Sequence, residues 1–310
     1  MSTLPAPRPV TARRLRLGSA RTRDRLAGVL MTAPAVVLFA VMMLVPLVLS
    51  GYLSLTNWDG YTAHPALVGL HNYRQLTHDP EVRQAASVTA IIAVVGTIVI
   101  NLVGLAVALA IATPGRLNTL LRTVFFYPYV ISALIIGFLW SALLSTNGAL
   151  NTVLEAAGHA GLPFLSRPGW ALASLITVIV WSGFGFTLVL YIAGLQTVPA
   201  SLMEAARIDG AGRWRTLRSV TLPMIAPIVT VNVVLTLVSL LRSYDLVLSL
   251  TGGGPAGSTQ TAAYLILSES FQNNVLGYGS AQSVVLTVVT GLAALAITLM
   301  RRRADAGASV

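Results

Sequence analysis

A polar loop from Glu204 to Pro223 contains the residues of this chain that are best suited to chemistry with a partner. It reads EAARIDGAGRWRTLRSVTLP, carries four arginines, and lies between two long apolar segments. The small side chains near its start permit close approach by another molecule, and the charged ones supply polar contacts. Because a mostly apolar chain has little use for so patterned a loop, the pattern predicts that a soluble protein docks on it.

The order of residues in this loop predicts two short helices. Ser201 and Glu204 have the spacing of a capping box, with Ser201 as N-cap and Glu204 as the third helical residue. Gly210 would end the first helix, since glycine readily adopts a positive φ at a helix C-terminus. A second helix, beginning at Arg213, leads to Pro223 in the first turn of the next apolar segment. The residues alone equally allow an amphipathic helix lying on anionic lipid.

Two further groups of residues indicate a path for a solute. Arg242 and Asp245 are three residues apart near the end of the fifth apolar segment, so on a continuous helix they would share a face and pair. Charged side chains at membrane depth are costly and mark solute pathways, and a structural ion pair is the alternative. In the fourth segment Trp181 and Phe186 offer aromatic faces with glycines between them, and plain packing is the alternative.

The composition excludes several kinds of protein. Hydrophobic residues make up 55% of the 310 residues and charged residues 10%, with a mean hydropathy of +0.78, which indicates an integral membrane protein. All 20 basic residues are Arg, so the chain lacks the lysine that an ATP-binding P-loop needs. There is no Cys, and no metal site is predicted from the four histidines, which lack companion acids at suitable spacing: His64, His71, His78 and His159.

Six apolar segments are long enough to cross a bilayer as helices that satisfy their own backbone hydrogen bonds. They cover residues 27–52, 85–112, 120–144, 170–194, 224–248 and 280–300. The sequence therefore predicts an all-α integral membrane protein with six transmembrane helices in a domain of residues 27–303. A disordered basic tail over 1–26 and a short tail over 304–310 would flank this domain.

The arginines indicate how the chain is oriented. With the N-terminus in the cytoplasm, sixteen Arg lie on the inner side and three on the outer side. This asymmetry follows the positive-inside rule. Both termini and the loop of residues 195–223 are therefore predicted to be cytoplasmic, in a multi-pass protein of the cytoplasmic membrane. Topology explains the basic charge, so no nucleic-acid partner is expected.

The loop resembles the E-A-A-x(3)-G-x(9)-I-x-L-P motif of binding-protein-dependent ABC importer permeases, with valine at position 220 where isoleucine is usual. In that family the loop forms the coupling helix, which docks in a cleft of the ATPase subunit. The resemblance implies a type I ABC importer permease fold. The residues that it implies for ATPase coupling are Glu204, Ala205, Ala206, Asp209, Gly210, Arg213 and Pro223.

The resemblance extends from about residue 27 over nearly the whole chain, and residues 54–60, 68–73, 250–255 and 276–281 are similar to the sugar-type branch. It implies a second, related permease in a heterodimer, an ABC ATPase dimer that binds the ATP, an extracytoplasmic solute-binding protein, surrounding lipid, and no cofactor in this chain. Maltose-type members are rich in Asn over 239–245, whereas this chain is not, so maltose is not implied. The implied substrate pathway comprises Trp181, Gly183, Phe186, Ser239, Arg242, Ser243, Tyr244 and Asp245.

The predicted function is that of a permease subunit that moves a sugar or polyol derivative by alternating access, coupled to ATP hydrolysis in a separate subunit. The alternative is an ion-gradient-driven secondary transporter, for which acidic residues at mid-span would be expected. No predicted span has an acid at its centre. No span contains a His or an acid pair either, so no enzyme is predicted.

Overall fold

The structure is a computed structural model that describes residues 17–308, without the side chains of residues 17–24, 26 and 302–308. In this part of the chain the secondary structure is helical apart from one isolated bridge between Thr56 and Leu67. Six described stretches are long and apolar enough to cross a membrane: Ala27–Leu53, Pro80–Ile111, Ala133–Ala156, Pro168–Gln196, Arg213–Leu241 and Leu276–Arg301. The prediction of an all-α membrane protein is confirmed.

Residues up to Ser50 form the first of two compact units. Its helix α1 (Leu17–Phe39) continues through a π-helical turn (Ala40–Leu44) into α2 (Val45–Leu53). The apolar side chains along this first span are exposed, as expected of a helix that is surrounded by other apolar material in a membrane.

The second unit begins at Gly51 and holds the remaining described helices. Within it, α4, α8 and α11 pack against one another, α5 lies along α8, and α6 lies along α12. These helices are α3 (His71–His78), α4 (Pro80–Ile111), α5 (Arg116–Val130), α6 (Ala133–Leu144), α7 (Ala149–Ala156), α8 (Pro168–Gln196), α9 (Ala200–Ile208), α10 (Arg213–Thr216), α11 (Leu222–Leu241), α12 (Asp245–Leu250), α13 (Ala262–Leu267) and α14 (Leu276–Ala308).

The two predicted tails are described only in part. Residues 1–16 and 309–310 lie outside the described residues, so the disorder of residues 1–16 stays a prediction. Because α1 begins at Leu17 and α14 ends at Ala308, the described portions of both tails are helical.

Small residues let the core helices approach closely. Gly104 of α4 faces Thr187 of α8, and a Cβ atom at this glycine would collide with the threonine side chain. Gly137 of α6 faces Ser249 of α12 in the same way. Helix association in a bilayer depends on close van der Waals packing, which small residues permit. The core helices are thereby held at fixed separations around the cavity described below.

The third predicted span is interrupted. The sequence predicts one helix over 120–144, but α5 ends at Val130 and α6 begins at Ala133, with extended backbone at Ile131. Pro128, in the last turn of α5, lacks the N–H group that would continue the helical hydrogen-bond ladder. The helix nevertheless continues through Pro128 and ends two residues later, where the chain forms a non-helical corner.

Two of the π-helical turns lie just ahead of prolines. The turn Ala40–Leu44 precedes Pro46, and the turn Leu217–Thr221 precedes Pro223. A proline ring clashes with the carbonyl four residues earlier in an α-helix. The wider π turn relieves that clash, so both helices continue past their prolines.

The loop after α2 is held by local hydrogen bonds. The carboxylate of Asp59 accepts bonds from the N–H groups of Thr62 (2.8 Å) and Tyr61 (3.0 Å) and from the Thr62 hydroxyl (2.8 Å). These donors stabilise the charged form and lower the pKa of Asp59 to about 2. The Tyr61 hydroxyl in turn donates to Asn274 (3.2 Å), which connects this loop to the segment before α14.

Candidate functional site

The 195–223 loop contains one short helix rather than two separate ones. α9 spans Ala200–Ile208, and α10 runs through the π turn directly into α11, so the predicted second helix is the start of the fifth span. The prediction of a separate helix ending before Pro223 is wrong, because the π turn accommodates the proline without a break.

The predicted capping box at Ser201 and Glu204 is also absent. α9 begins at Ala200 with Pro199 as N-cap, and no side chain caps this helix end. The carbonyl of Pro199 accepts from the N–H of Leu202 (3.2 Å), and the helix starts two residues earlier than the motif requires. The exposed carboxylate of Glu204 is therefore not used for capping and faces outward.

The end of α9 matches the prediction for Gly210. This glycine has φ +71°, its N–H donates to Arg207 O (3.0 Å), and the N–H of Ala211 donates to Ala206 O (2.9 Å). These two bonds form a Schellman motif, which satisfies the last carbonyls of the helix and turns the chain sharply.

Most of the predicted coupling residues are accessible. Ala206 is a buried residue of α9, and the others are exposed: Glu204, Ala205, Asp209, Gly210, Arg213 and Pro223. Sequence reasoning overlooked Ile208 and Trp214, which are 86% and 73% exposed, respectively. Large apolar side chains so exposed beside four arginines suit an interface better than solvent. The sequence signal for such an interface was the presence of two large apolar residues, Ile208 and Trp214, within a charged loop.

A second feature is a cavity of about 670 Å³ at the far end of α11 from this loop. The sequence predicts a continuous fifth span over 224–248, but α11 ends at Leu241 and α12 begins at Asp245. Residues 242–244 between them are not helical. The cavity lies where this break meets the break of the third span and the middle of α8, since all three segments line it.

The cavity brings together six of the eight predicted pathway residues. Those that line it are Gly183, Phe186, Ser239, Arg242, Ser243 and Asp245. Trp181 and Tyr244 are not part of the lining. The indole of Trp181 instead packs edge-on against that of Trp140, with ring centroids 5.5 Å apart.

An aromatic pair forms one wall of the cavity. The rings of Tyr129 and Phe186 stack with centroids 4.9 Å apart and planes 21° apart. Tyr129 was missed from the sequence, because nothing in its own segment shows that it stacks on Phe186 of α8.

The charged lining residues do not form the predicted ion pair. Because the helix ends before Arg242 and restarts at Asp245, these residues do not share one helical face. Among the described residues, the guanidinium of Arg242 makes neither a hydrogen bond nor an ion pair. The carboxylate of Asp245 has the neighbouring hydroxyl of Tyr244 beside it.

Buried polar side chains connect the three core helices below the cavity. The Tyr191 hydroxyl donates to Asn101 Oδ1 (2.6 Å), and Asn101 Nδ2 donates to Thr97 O (2.8 Å). Asn232, fully buried on α11, donates to Thr187 O at 3.5 Å. These bonds join α4 to α8 and α8 to α11 directly beneath a lining residue of the cavity, Thr187.

Comparison with known proteins agrees with this architecture. Residues 100–308 match the family described as binding-protein-dependent transport system inner membrane component. The chain is 31% identical to the probable starch degradation products transport system permease protein AmyD of Thermoanaerobacterium thermosulfurigenes, covering 88% of this chain and 94% of AmyD. It is 32% identical to the sulfoquinovosyl glycerol transport system permease protein SmoG of Agrobacterium fabrum, covering 85% of this chain and 86% of SmoG.

A solved structure shows the same fold. A chain of a bacterial alginate ABC transporter, crystallised with its alginate-bound periplasmic protein, superposes with a TM-score of 0.80 at 23% identity, over 93% of this chain and 98% of that one. The helical arrangement of this chain is thus a known fold. On its family match and its relatives, the chain belongs to the binding-protein-dependent transport system inner membrane components, the permeases of ABC importers.

Proposed function

We propose that this permease carries a carbohydrate across the cytoplasmic membrane by alternating access, driven by ATP hydrolysis in a separate subunit. The stacked pair of Tyr129 and Phe186 is the observation that carries the proposal. The apolar C–H faces of a sugar ring pack on aromatic rings, while its hydroxyls need hydrogen-bonding partners. Hydroxyls of Ser182, Ser239 and Ser243 supply such partners in the same cavity. The names of AmyD and SmoG, which refer to starch degradation products and sulfoquinovosyl glycerol, favour the same class of cargo.

The loop of residues 195–223 is proposed to couple the cavity to an ATPase dimer. α11 leads from this loop to the cavity as a helix of 20 residues, about 30 Å long. A displacement of α10, which runs through the π turn into α11, would therefore be transmitted along the helix to Leu241, next to Arg242. The proposed ATPase contacts remain those implied by the motif. Among them, Ala206 is a buried residue of α9 and the others are exposed.

The remaining partners follow from the same proposal. The permease would assemble as a heterodimer with a second, related permease and receive cargo from an extracytoplasmic binding protein. Both termini would lie in the cytoplasm, as the excess of inner arginines favours. The chain would hold no cofactor of its own, since ATP would bind to the ATPase subunits.

Uptake by the importer reconstituted in proteoliposomes tests this function. Phe186→Ala should lower the uptake of a transported sugar roughly tenfold, because it removes half of the aromatic pair. Phe138→Ala is the matched control, since Phe138 is 65% exposed and does not line the cavity. Uptake that continues without the ATPase subunit or ATP would contradict the proposal and favour an ion-gradient-driven transporter.

A further inference from the structure

We propose that the cargo carries an anionic group, a carboxylate, phosphate or sulfonate, and that Arg242 binds this group inside the cavity. The inference rests on the proposed function and adds the chemical class of the carbohydrate. It depends on the two charged residues that line the cavity, Arg242 and Asp245, and on the hydrogen-bonding or ionic partners of each.

Arg242 and Asp245 are the charged residues in the described lining of the cavity. Their environments differ. The carboxylate of Asp245 has the Tyr244 hydroxyl next to it, whereas the guanidinium of Arg242 is exposed and has no hydrogen-bonding or ionic partner among the described side chains. The cavity thus contains one cation for which the described residues supply no counterion.

The broken helix explains why Asp245 does not provide that counterion. On a continuous helix, residues three apart lie on one face and an Arg and an Asp would pair. Here the last helical residue of α11 is Leu241, and Asp245 is the first residue of α12. The interruption separates the two side chains while leaving both on the wall of the cavity.

An unpaired guanidinium near membrane depth is costly, which is why such residues mark sites of function. Its planar fork of five N–H donors matches the geometry of carboxylate and phosphate oxygens, and charge-assisted bonds of this kind are stronger than those to neutral hydroxyls. A carbohydrate with an anionic group would place its ring on Tyr129 and Phe186 and its charge on Arg242. Asp245, which can only accept hydrogen bonds when ionised, would accept from the hydroxyls of the cargo.

Competition between matched substrates tests the inference in the complete importer with its own binding protein. The panel pairs each neutral compound with an anionic counterpart: glucose with glucuronate and glucose 6-phosphate, and glycerol with glycerol 3-phosphate. We expect uptake of an anionic member, and a loss of ten- to a hundredfold in its kcat/KM in Arg242→Gln, the scale of a lost hydrogen bond to a charged group. Arg242→Lys should retain part of the activity, because it keeps the charge and loses the fork.

Arg167→Gln is the matched control, because Arg167 is exposed and does not line the cavity. Removing this positive charge should leave uptake of the anion at the wild-type level, whereas an effect of net charge alone would make both variants equally poor. Uptake of neutral members alone, or an equal loss of neutral and anionic uptake in Arg242→Gln, would overturn the inference and leave the proposed function standing. If uptake continues without the ATPase subunit or ATP, the proposed function itself fails.

Discussion

The backbone at Gly210 determines how α9 presents its exposed side chains. Its φ of +71° lies in the left-handed region, and the two Schellman bonds around it depend on that angle. Gly212, two residues later, has an ordinary φ of −65°. A Cβ atom at either glycine would meet no neighbour within 4 Å, so the two positions differ in backbone strain and not in available space.

This difference gives a matched pair of variants. Gly210→Ala should reduce ATP-driven uptake about five- to thirtyfold, because the left-handed conformation costs an alanine about 1–2 kcal/mol and depopulates the docked form of the loop. Gly212→Ala should transport like the wild type. Membrane insertion, measured by the amount of folded protein extracted, should be the same for both. Equal uptake by the two variants would show that the turn at Gly210 is not needed for coupling.

Local chemistry determines which single residues could be recognised in advance. Gly210 was predictable, because positive φ after a short helix favours glycine whatever surrounds it. The absence of the predicted capping box was not predictable, because Pro199 and Ser201 are both possible N-caps. In the structure Pro199 is the N-cap and the helix begins at Ala200. Tyr129 gave no signal, since its place in the cavity depends on a contact with a residue of another helix, Phe186 of α8.

The helices divide in the same way into predictable and unpredictable parts. Six spans follow from apolar length alone, and four of the six match the predicted segments to within five residues at each end. The breaks in the third and fifth spans do not follow, because hydropathy records only how apolar a stretch is. Both breaks line the cavity, which is where non-helical backbone can be tolerated in a membrane protein.

The hydrogen bond between Tyr191 and Asn101 ties α8 to α4 beneath that cavity. Tyr191 is 1% exposed, so Tyr191→Phe would leave Asn101 Oδ1 without its 2.6 Å partner in the bundle core. We expect the free energy of unfolding to fall by about 1 kcal/mol, the usual scale for such bonds between membrane helices. Thermal unfolding in detergent, followed by tryptophan fluorescence, would measure the lowered Tm.

Tyr127→Phe is the comparison for this variant, because Tyr127 is 64% exposed on α5 and its hydroxyl is accessible. Its Tm should match that of the wild type. If both variants unfold at the same temperature as the wild type, the buried bond does not stabilise the contact between the core helices. A loss of uptake without a loss of stability would instead point to a role for Tyr191 in the transport cycle.

In the second unit, the exposed loop of residues 195–223 lies at one end of α11, and the cavity lies at the other end. This separation suits a protein in which chemical energy enters on one side of the membrane and cargo enters on the other. The assignment of sides depends on arginine counting, which is a property of the sequence and needs its own test.

The absence of native cysteine makes that test direct, since single introduced thiols have no background. Ile208→Cys and Tyr61→Cys are matched probes, because the native side chains are 86% and 80% exposed, respectively. A membrane-impermeant maleimide should label Tyr61→Cys in intact spheroplasts and Ile208→Cys only in inverted vesicles, since the arginine-rich loop is predicted to be cytoplasmic. Adding the ATPase subunit should then protect Ile208→Cys alone. Labelling of Ile208→Cys from outside would contradict the orientation, and labelling that the ATPase leaves unchanged would contradict docking at α9.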